Sequence, residues 1–237
     1  MYQAGIELFT RRQLFLRGAA AAVSLANLPT AGWLAAHAQT VTVLATPSAT
    51  EGPYFADEKL NRSDIRLDPS NNIVSTGFPL LLGVTVSRIT NGVITPLNNA
   101  YVDIWHCDAA GKYSDFAVEG TAGRKFLRGY QVTDAHGNCR FLSIYPGWYS
   151  GRTVHIHCKV RLYDGAATTY TFNTQFFFEE STTDSVYLLS PYSSRPNRDT
   201  RNTSDGIYNG SSGARLLLRL AKDGSYAMSS FHIMLNA

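Results

Sequence analysis

Beyond residue 39 most of the chain consists of short runs alternating apolar and polar side chains, separated by Gly, Asn, Asp and Pro. Residues 80–89 alternate and end at Asn91-Gly92, a pair that accepts the positive φ values of a tight hairpin turn. Residues 100–107 read as a second strand, with Tyr101, Asp103 and Trp105 on one face and Val102, Ile104 and His106 on the other. Residues 129–133 lead into the turn Asp134-Ala135-His136-Gly137, and residues 139–145 return from it. Residues 154–163 form the next strand, ending at Asp164-Gly165, and residues 168–178 follow. Residues 215–221 and 226–235 flank Lys222-Asp223-Gly224 as a terminal hairpin, and the polar stretch 180–213 reads as a long surface loop. No sustained helical period is present beyond residue 39. The pattern predicts an all-β fold, an antiparallel β-sandwich, forming one domain over residues 39–237.

The first 38 residues have a different character. Thr10-Arg11-Arg12-Gln13-Leu14-Phe15-Leu16-Arg17 is a twin-arginine pattern, an Ala-rich stretch follows, and Ala36-His37-Ala38 supplies small residues for cleavage. Ser24, Asn27, Pro29 and Gly32 interrupt the stretch too often for a spanning helix. Residues 1–38 are therefore expected to be a twin-arginine export signal, with a mature chain starting near Gln39 in the periplasm or outside the cell. No Cys follows the cleavage site, so neither a lipid anchor nor stable membrane association is expected. The net charge of +3 shrinks to about +1 once Arg11, Arg12, Arg17 and Glu7 are set aside. With no basic stripe in the remainder, nucleic acid is not an expected partner. Three cysteines, Cys107, Cys139 and Cys158, cannot all pair within one chain; at most one disulfide can form, and spacing does not choose the pair.

The densest chemical signal is Tyr145-Pro146-Gly147-Trp148-Tyr149-Ser150-Gly151-Arg152-Thr153-Val154-His155-Ile156-His157. On a strand His155 and His157 share a face, because side chains alternate with a period of two. A bare His-x-His also describes two polar side chains on a solvated sheet. Here a Pro-Gly turn places Tyr149 six residues upstream of His155, and a second loop, Gly111-Lys112-Tyr113-Ser114, offers another phenol. Two phenols and two imidazoles form a hard donor set, in which phenolate oxygen favours Fe(III) over soft ions.

Val102-Asp103-Ile104-Trp105, Gly111-Lys112-Tyr113-Ser114, Leu127-Arg128-Gly129-Tyr130-Gln131, Thr133-Asp134, Pro146-Gly147-Trp148-Tyr149 and Arg152-x-x-His155-x-His157 occur in this order. Together they resemble the intradiol ring-cleavage dioxygenases, the family of catechol and protocatechuate dioxygenases. Thr50-Glu51-Gly52-Pro53-Tyr54 and Ser63-Asp64-Ile65-Arg66 resemble its small exported branch. The resemblance implies a β-sandwich with a metal site between the sheets near one edge. It implies non-haem Fe(III) and no second cofactor, held by Tyr113 and His155 as equatorial ligands and by Tyr149 and His157 as axial ones. Arg152 would stand beside the substrate ring, and Gln175 would support the site from a neighbouring strand. Glu51 and Tyr54 either close one side of the pocket or belong to a simple Gly-Pro turn, and the sequence leaves their role open. His106, His136 and His232 read as structural or exposed. The implied reaction joins a catechol-type aromatic diol and O2 and opens the ring between its two hydroxyls to a cis,cis-muconate-type diacid.

Three departures from the larger enzymes leave the catechol unspecified: the missing N-terminal helical segment, the short Ser150-Gly151 link and Thr153-Val154 before the histidines. The oligomeric state is likewise open. A sandwich that binds iron or polyphenols without turnover is the alternative, since fold does not fix function.

Overall fold

The computed structural model describes residues 43–223 and 226–236, so the segment read as an export signal lies outside the described residues. In chain order the strands are β1 (Leu67–Asp68), β2 (Ile73–Val74), β3 (Pro79–Thr90), β4 (Val93–Pro96), β5 (Tyr101–Trp105) and β6 (Arg128–Val132). They continue with β7 (Asn138–Ile144), β8 (His155–Asp164), β9 (Ala167–Phe178), β10 (Leu217–Leu218), β11 (Ala221–Asp223) and β12 (Tyr226–Leu235). Two short helices, α1 (Glu180–Val186) and α2 (Gly206–Gly210), lie between β9 and β10.

One sheet runs β10-β9-β8-β5-β6; the other runs β11-β12-β3-β4, with β7 sharing the β4 edge of the long β3. The turn from β3 to β4 has φ of 52° at Asn91 and 77° at Gly92, as that dipeptide predicts. Leu80, Leu82, Val84 and Phe141 from one sheet meet Val102, Ile104, Ile156, Cys158 and Val160 from the other in the central core. The β-sandwich is thus the observed fold. Most pairing is antiparallel, but β12 runs parallel to β3 from Ala227 beside Leu80 to Leu235 beside Arg88. The chain reaches β12 by crossing from the first sheet, which fixes that direction.

Two stretches differ from their sequence reading. Residues 215–221 are not one strand: Gly213–Leu216 turn as a 3-10 helix, Leu217–Leu218 add to β9 in parallel, and the chain then changes sheets to pair β11 with β12. Residues 180–213 are not a surface loop either. Thr183, Val186, Tyr187, Tyr192, Arg198, Asn202 and Asp205 are buried there. Tyr192 stacks on Tyr187 at 5.4 Å and donates its hydroxyl to the Tyr145 carbonyl at 2.6 Å. Burial on aromatic contacts orders this polar segment without an amphipathic repeat.

His106 is buried, while His136 and His232 are exposed. Cys107, Cys139 and Cys158 are free thiols. No described helix is long and apolar enough to cross a membrane.

Candidate metal centre

Alternation along β8 decides where the site lies. Ile156, Cys158 and Val160 point into the core, so His155 and His157 occupy the opposite, outer face of the first sheet. The expectation of a site between the sheets is corrected accordingly. Both histidines are nevertheless buried, at 2% and 1% exposure, because Tyr54, Phe55, Tyr113, Phe116 and Tyr149 gather over that face around Trp105. The cross-strand register puts Trp105, His157 and Gln175 side by side, and the Trp105 ring lies parallel to the His157 imidazole at 4.9 Å.

Loops bring the phenols. Tyr113 follows β5 and Tyr149 precedes β8, and two glycines join these loops backbone to backbone. A Cβ on Gly111, which holds φ at +85°, would strike the Trp148 carbonyl oxygen; one on Gly147 would strike the carbonyls of Asp108 and Ala109. Arg128, 3% exposed, holds the Tyr113 loop from below, its Nε donating to Ser114 Oγ at 2.7 Å and an Nη donating to the Tyr54 carbonyl at 3.3 Å. Tyr54 stacks on Tyr113 with ring centres 4.2 Å apart and donates its hydroxyl to Glu119 at 3.1 Å, so it closes one side. Glu51 turns outward to an ion pair with Lys159.

The four donor atoms converge. Tyr113 Oη lies 3.1 Å from His157 Nε2 and 3.4 Å from His155 Nε2, Tyr149 Oη lies 3.3 Å from His155 Nε2, and the two Nε2 atoms are 3.1 Å apart. His155 Nδ1 is 2.6 Å from the Thr153 carbonyl. A carbonyl only accepts, so the proton sits on Nδ1 and the Nε2 lone pair faces the cluster. Burial, then the charge of Arg152, pushes His155 down to about 3; burial and its neighbour His155 push His157 well below the usual range. Burial raises Tyr149 to about 12 against the pull of Arg152, and burial with Tyr149 beside it raises Tyr113. Without a cation, then, the four groups are neutral, and two imidazole nitrogens crowd together with no opposing charge.

A bound metal ion fits this arrangement. Donors about 2.1 Å from a common ion and 90–110° apart stand roughly 3.0–3.4 Å from one another, which is the spacing observed. Among the described residues no three His, Cys, Asp or Glu side chains form a metal cluster, so the phenols are half of the set.

Arg152 lies alongside, with Nη1 3.5 Å from His155 Nε2. Its Nη2 donates to Gln175 Oε1 at 2.6 Å, and Gln175 Nε2 donates to the Thr50 carbonyl at 2.8 Å. Its Nε donates to Asp205 Oδ2 at 2.8 Å, and the same oxygen accepts the Thr153 amide at 2.8 Å. The other oxygen caps α2 by accepting the amides of Ile207 and Tyr208, both at 2.8 Å. Burial alone would raise the Asp205 carboxyl, but the amides of Tyr208 and Thr153 and the Arg152 guanidinium together hold it below its usual value. The structure therefore brings together all the residues singled out in the sequence: Tyr113, Tyr149, Arg152, His155, His157 and Gln175. Asp205 and Arg128 were missed. An Asp ahead of Gly206-Ile207-Tyr208 is a cap signal in the sequence, but nothing local ties it to Arg152.

Paired tyrosines and histidines thus converge on the outer face of a β-sandwich, with a tethered arginine beside them. The family model described as "Dioxygenase" matches residues 50–182, and the chain belongs to this family, the intradiol ring-cleavage dioxygenases. It is 33% identical over 106 residues to a catechol 1,2-dioxygenase of Acinetobacter baylyi, covering 44% of this chain and 32% of that one. A chlorocatechol 1,2-dioxygenase of Cupriavidus pinatubonensis is 31% identical over 152 residues, 57% of this chain and 55% of its own. The chain thus spans between a third and just over half of these relatives. A solved intradiol ring-cleavage dioxygenase from Tetranychus urticae superposes with a TM-score of 0.70 at 28% identity, over 82% of this chain and 95% of that one.

Proposed function

We propose that this protein is an Fe(III) dioxygenase that cleaves a catechol-type ring between its hydroxyls, using O2, to give a cis,cis-muconate-type diacid. The observation that carries the reading is the convergence of Tyr113, Tyr149, His155 and His157 donor atoms within 3.1–3.4 Å, beside the Arg152 guanidinium. Phenolate oxygens are hard, anionic donors suited to the ferric ion. When bound, that ion supplies the Lewis acidity and one-electron capacity that let triplet O2 react with a closed-shell ring.

The chain's own residues do the rest. Tyr113, His155 and His157 are buried and form the fixed part of the donor set. Tyr149 is half-buried and faces Arg152, so its phenolate is the group placed to take a substrate hydroxyl proton at Oη. Arg152 holds a fixed cation where negative charge builds on the ring, and Gln175 and Asp205 keep it in place. Trp105, Tyr54 and Phe55 keep water from the histidines. Catechol, chlorocatechol and related diols are the substrate class the relatives' names suggest.

Iron-reconstituted protein should carry about one iron per chain, absorb in the visible from phenolate-to-iron charge transfer, and consume O2 with catechol, protocatechuate or hydroxyquinol. A colourless protein loaded with zinc or copper, inert after iron reconstitution, would favour the non-catalytic binding module instead. The reading of residues 1–38 adds a location, the periplasm or the cell exterior, reached by the twin-arginine route. Replacing Arg11 and Arg12 with Lys should leave uncleaved precursor in the cytoplasm, and normal export of that variant excludes this route.

A further inference from the structure

The outer face of the first sheet carries a second concavity, away from the four donor atoms, with a volume of about 300 Å3. That size matches small-ligand pockets. Its walls are Tyr101 from β5, Tyr130 from β6, and Arg161 and Tyr163 from β8, with Asp57 and Lys59 from the segment that crosses the sheet. Tyr101 lies nearly parallel to Tyr130 at 5.3 Å and meets Tyr163 at 4.7 Å with a 64° tilt. The three rings make a corner that offers both a face and an edge, as aromatic ligands prefer. They are half-buried and line the concavity.

The polar groups select the ligand. Both acidic side chains at hand are already engaged: Arg161 donates to Asp103 at 3.0 and 2.9 Å and to Asp57 at 3.0 Å. That network fixes the guanidinium and leaves further N–H groups unspent. Lys59 sits at the rim in a left-handed backbone conformation, φ 51°, its backbone N–H donating to Asp57 at 3.3 Å and its Nζ in no ion pair among the described residues. The three tyrosine hydroxyls have no protein partner among the described residues. Because Arg161 already occupies both carboxylates, the groups left unengaged are the Lys59 ammonium, the remaining Arg161 N–H groups and the tyrosine hydroxyls, so a carboxylate finds donors here while the hydroxyls of a sugar find no free anionic acceptor among these groups.

We propose that this corner binds a planar aromatic carboxylate as a site separate from the ring-cleaving centre. The ring stacks against Tyr101 and Tyr130 with its edge toward Tyr163, and the carboxylate meets Lys59 and the free Arg161 N–H groups. Such a site would hold aromatic acids on the enzyme without cleaving them.

Calorimetric titration of the iron-loaded protein with 4-methoxybenzoate, which lacks the adjacent hydroxyls needed for cleavage, tests this. Tyr101→Ala should abolish binding, and Lys59→Gln, a rim substitution that leaves the fold alone, should weaken it at least about fivefold. Neutral 4-methoxybenzamide and cellobiose should bind at least about tenfold more weakly than the acid. Arg152→Ala should not change the affinity, and catechol turnover should be unchanged in Lys59→Gln. Absence of binding, binding that survives both Tyr101→Ala and Lys59→Gln, loss only in Arg152→Ala, or equal binding of the amide or the sugar overturns the proposal. None of these outcomes depends on whether the metal centre turns over catechol.

Discussion

Arg152 donates its Nε to Asp205 across 2.8 Å, although 53 residues separate them in the chain. Asp205 is fully buried and the Arg152 side chain is 16% exposed, so solvent screens this pair little. The carboxylate also caps α2, which couples the segment after β9 to the cation beside the donor cluster.

Asp205→Asn can still cap α2 through its amide oxygen, but it carries no charge, and its amide nitrogen cannot accept from Arg152 Nε or the Thr153 amide. It should keep its iron and melt several degrees below wild type, and lose about tenfold to a hundredfold in kcat with little change in KM. Arg152→Ala should lose a hundredfold or more in kcat, and the double variant should be no slower than Arg152→Ala alone. Wild-type kcat in Asp205→Asn, or a loss that only tracks iron content, would remove Asp205 from the positioning role.

The two tyrosines should not be equivalent. Tyr113 is 1% exposed and its Oη touches both imidazole Nε2 atoms, whereas Tyr149 is half-buried and touches one. Tyr113→Phe should weaken iron binding at least about tenfold and bleach most of the visible band. Tyr149→Phe should keep its iron but bind catechol slowly, with a changed pH dependence, because the rim proton acceptor is gone. Iron content and anaerobic stopped-flow absorbance read this directly; a reversal of roles between the variants would refute the assignment.

Why the donor set was legible while its surroundings were not follows from range along the chain. His155 and His157 share a strand, and Tyr149 precedes them across one turn, so local spacing carries three of the four proposed ligands. The face they occupy was legible too, since His155, His157, Lys159 and Arg161 alternate with the apolar Ile156, Cys158 and Val160. Following that alternation would have put the site outside the core. Asp205 reaches Arg152 only through the packing of residues 180–213, where α1 is built mainly from Ser, Thr and acidic residues, α2 is Gly206-Ile207-Tyr208-Asn209-Gly210, and both are too short to show an amphipathic period. The parallel β12 could not be read either, because a strand's sequence does not record which neighbour it joins or in which direction.

Gly111 and Gly147 join the tyrosine loops and should resist any side chain. Gly111→Ala combines a left-handed backbone with a collision against a carbonyl, and Gly147→Ala collides with two. Each should cost roughly 2–4 kcal/mol and lower iron occupancy. Gly165→Ala is the control: it shares a positive φ, 56°, but its Cβ would meet nothing within 4 Å, so about 1–2 kcal/mol is expected and iron should be retained. Thermal melts and iron content compare the three, and equal behaviour would show that the close approach is unimportant.

His106 predicts how the fold responds to acid. Its Nδ1 lies 2.8 Å from the Cys107 carbonyl, which can only accept, so the proton is on Nδ1 and the Ser143 hydroxyl donates to Nε2 at 2.7 Å. Ser143 belongs to β7, so this bond ties the two sheets together through a neutral imidazole. Burial lowers its pKa from 6.5 to about 4, with the Cys107 carbonyl opposing only in part. Between those values the unfolded chain binds the proton and the folded chain does not, so stability rises with pH and is lost as pH falls. A shift of that size corresponds to roughly 3 kcal/mol across the window. His106→Gln retains a donor and an acceptor without titrating. Its urea midpoint should therefore fall less between pH 7 and pH 4.5 than that of wild type, even if it starts lower. His155 and His157 are present in both proteins, so comparing the two losses isolates His106. Equal losses would mean that His106 takes up its proton at the same pH in the folded and unfolded chains.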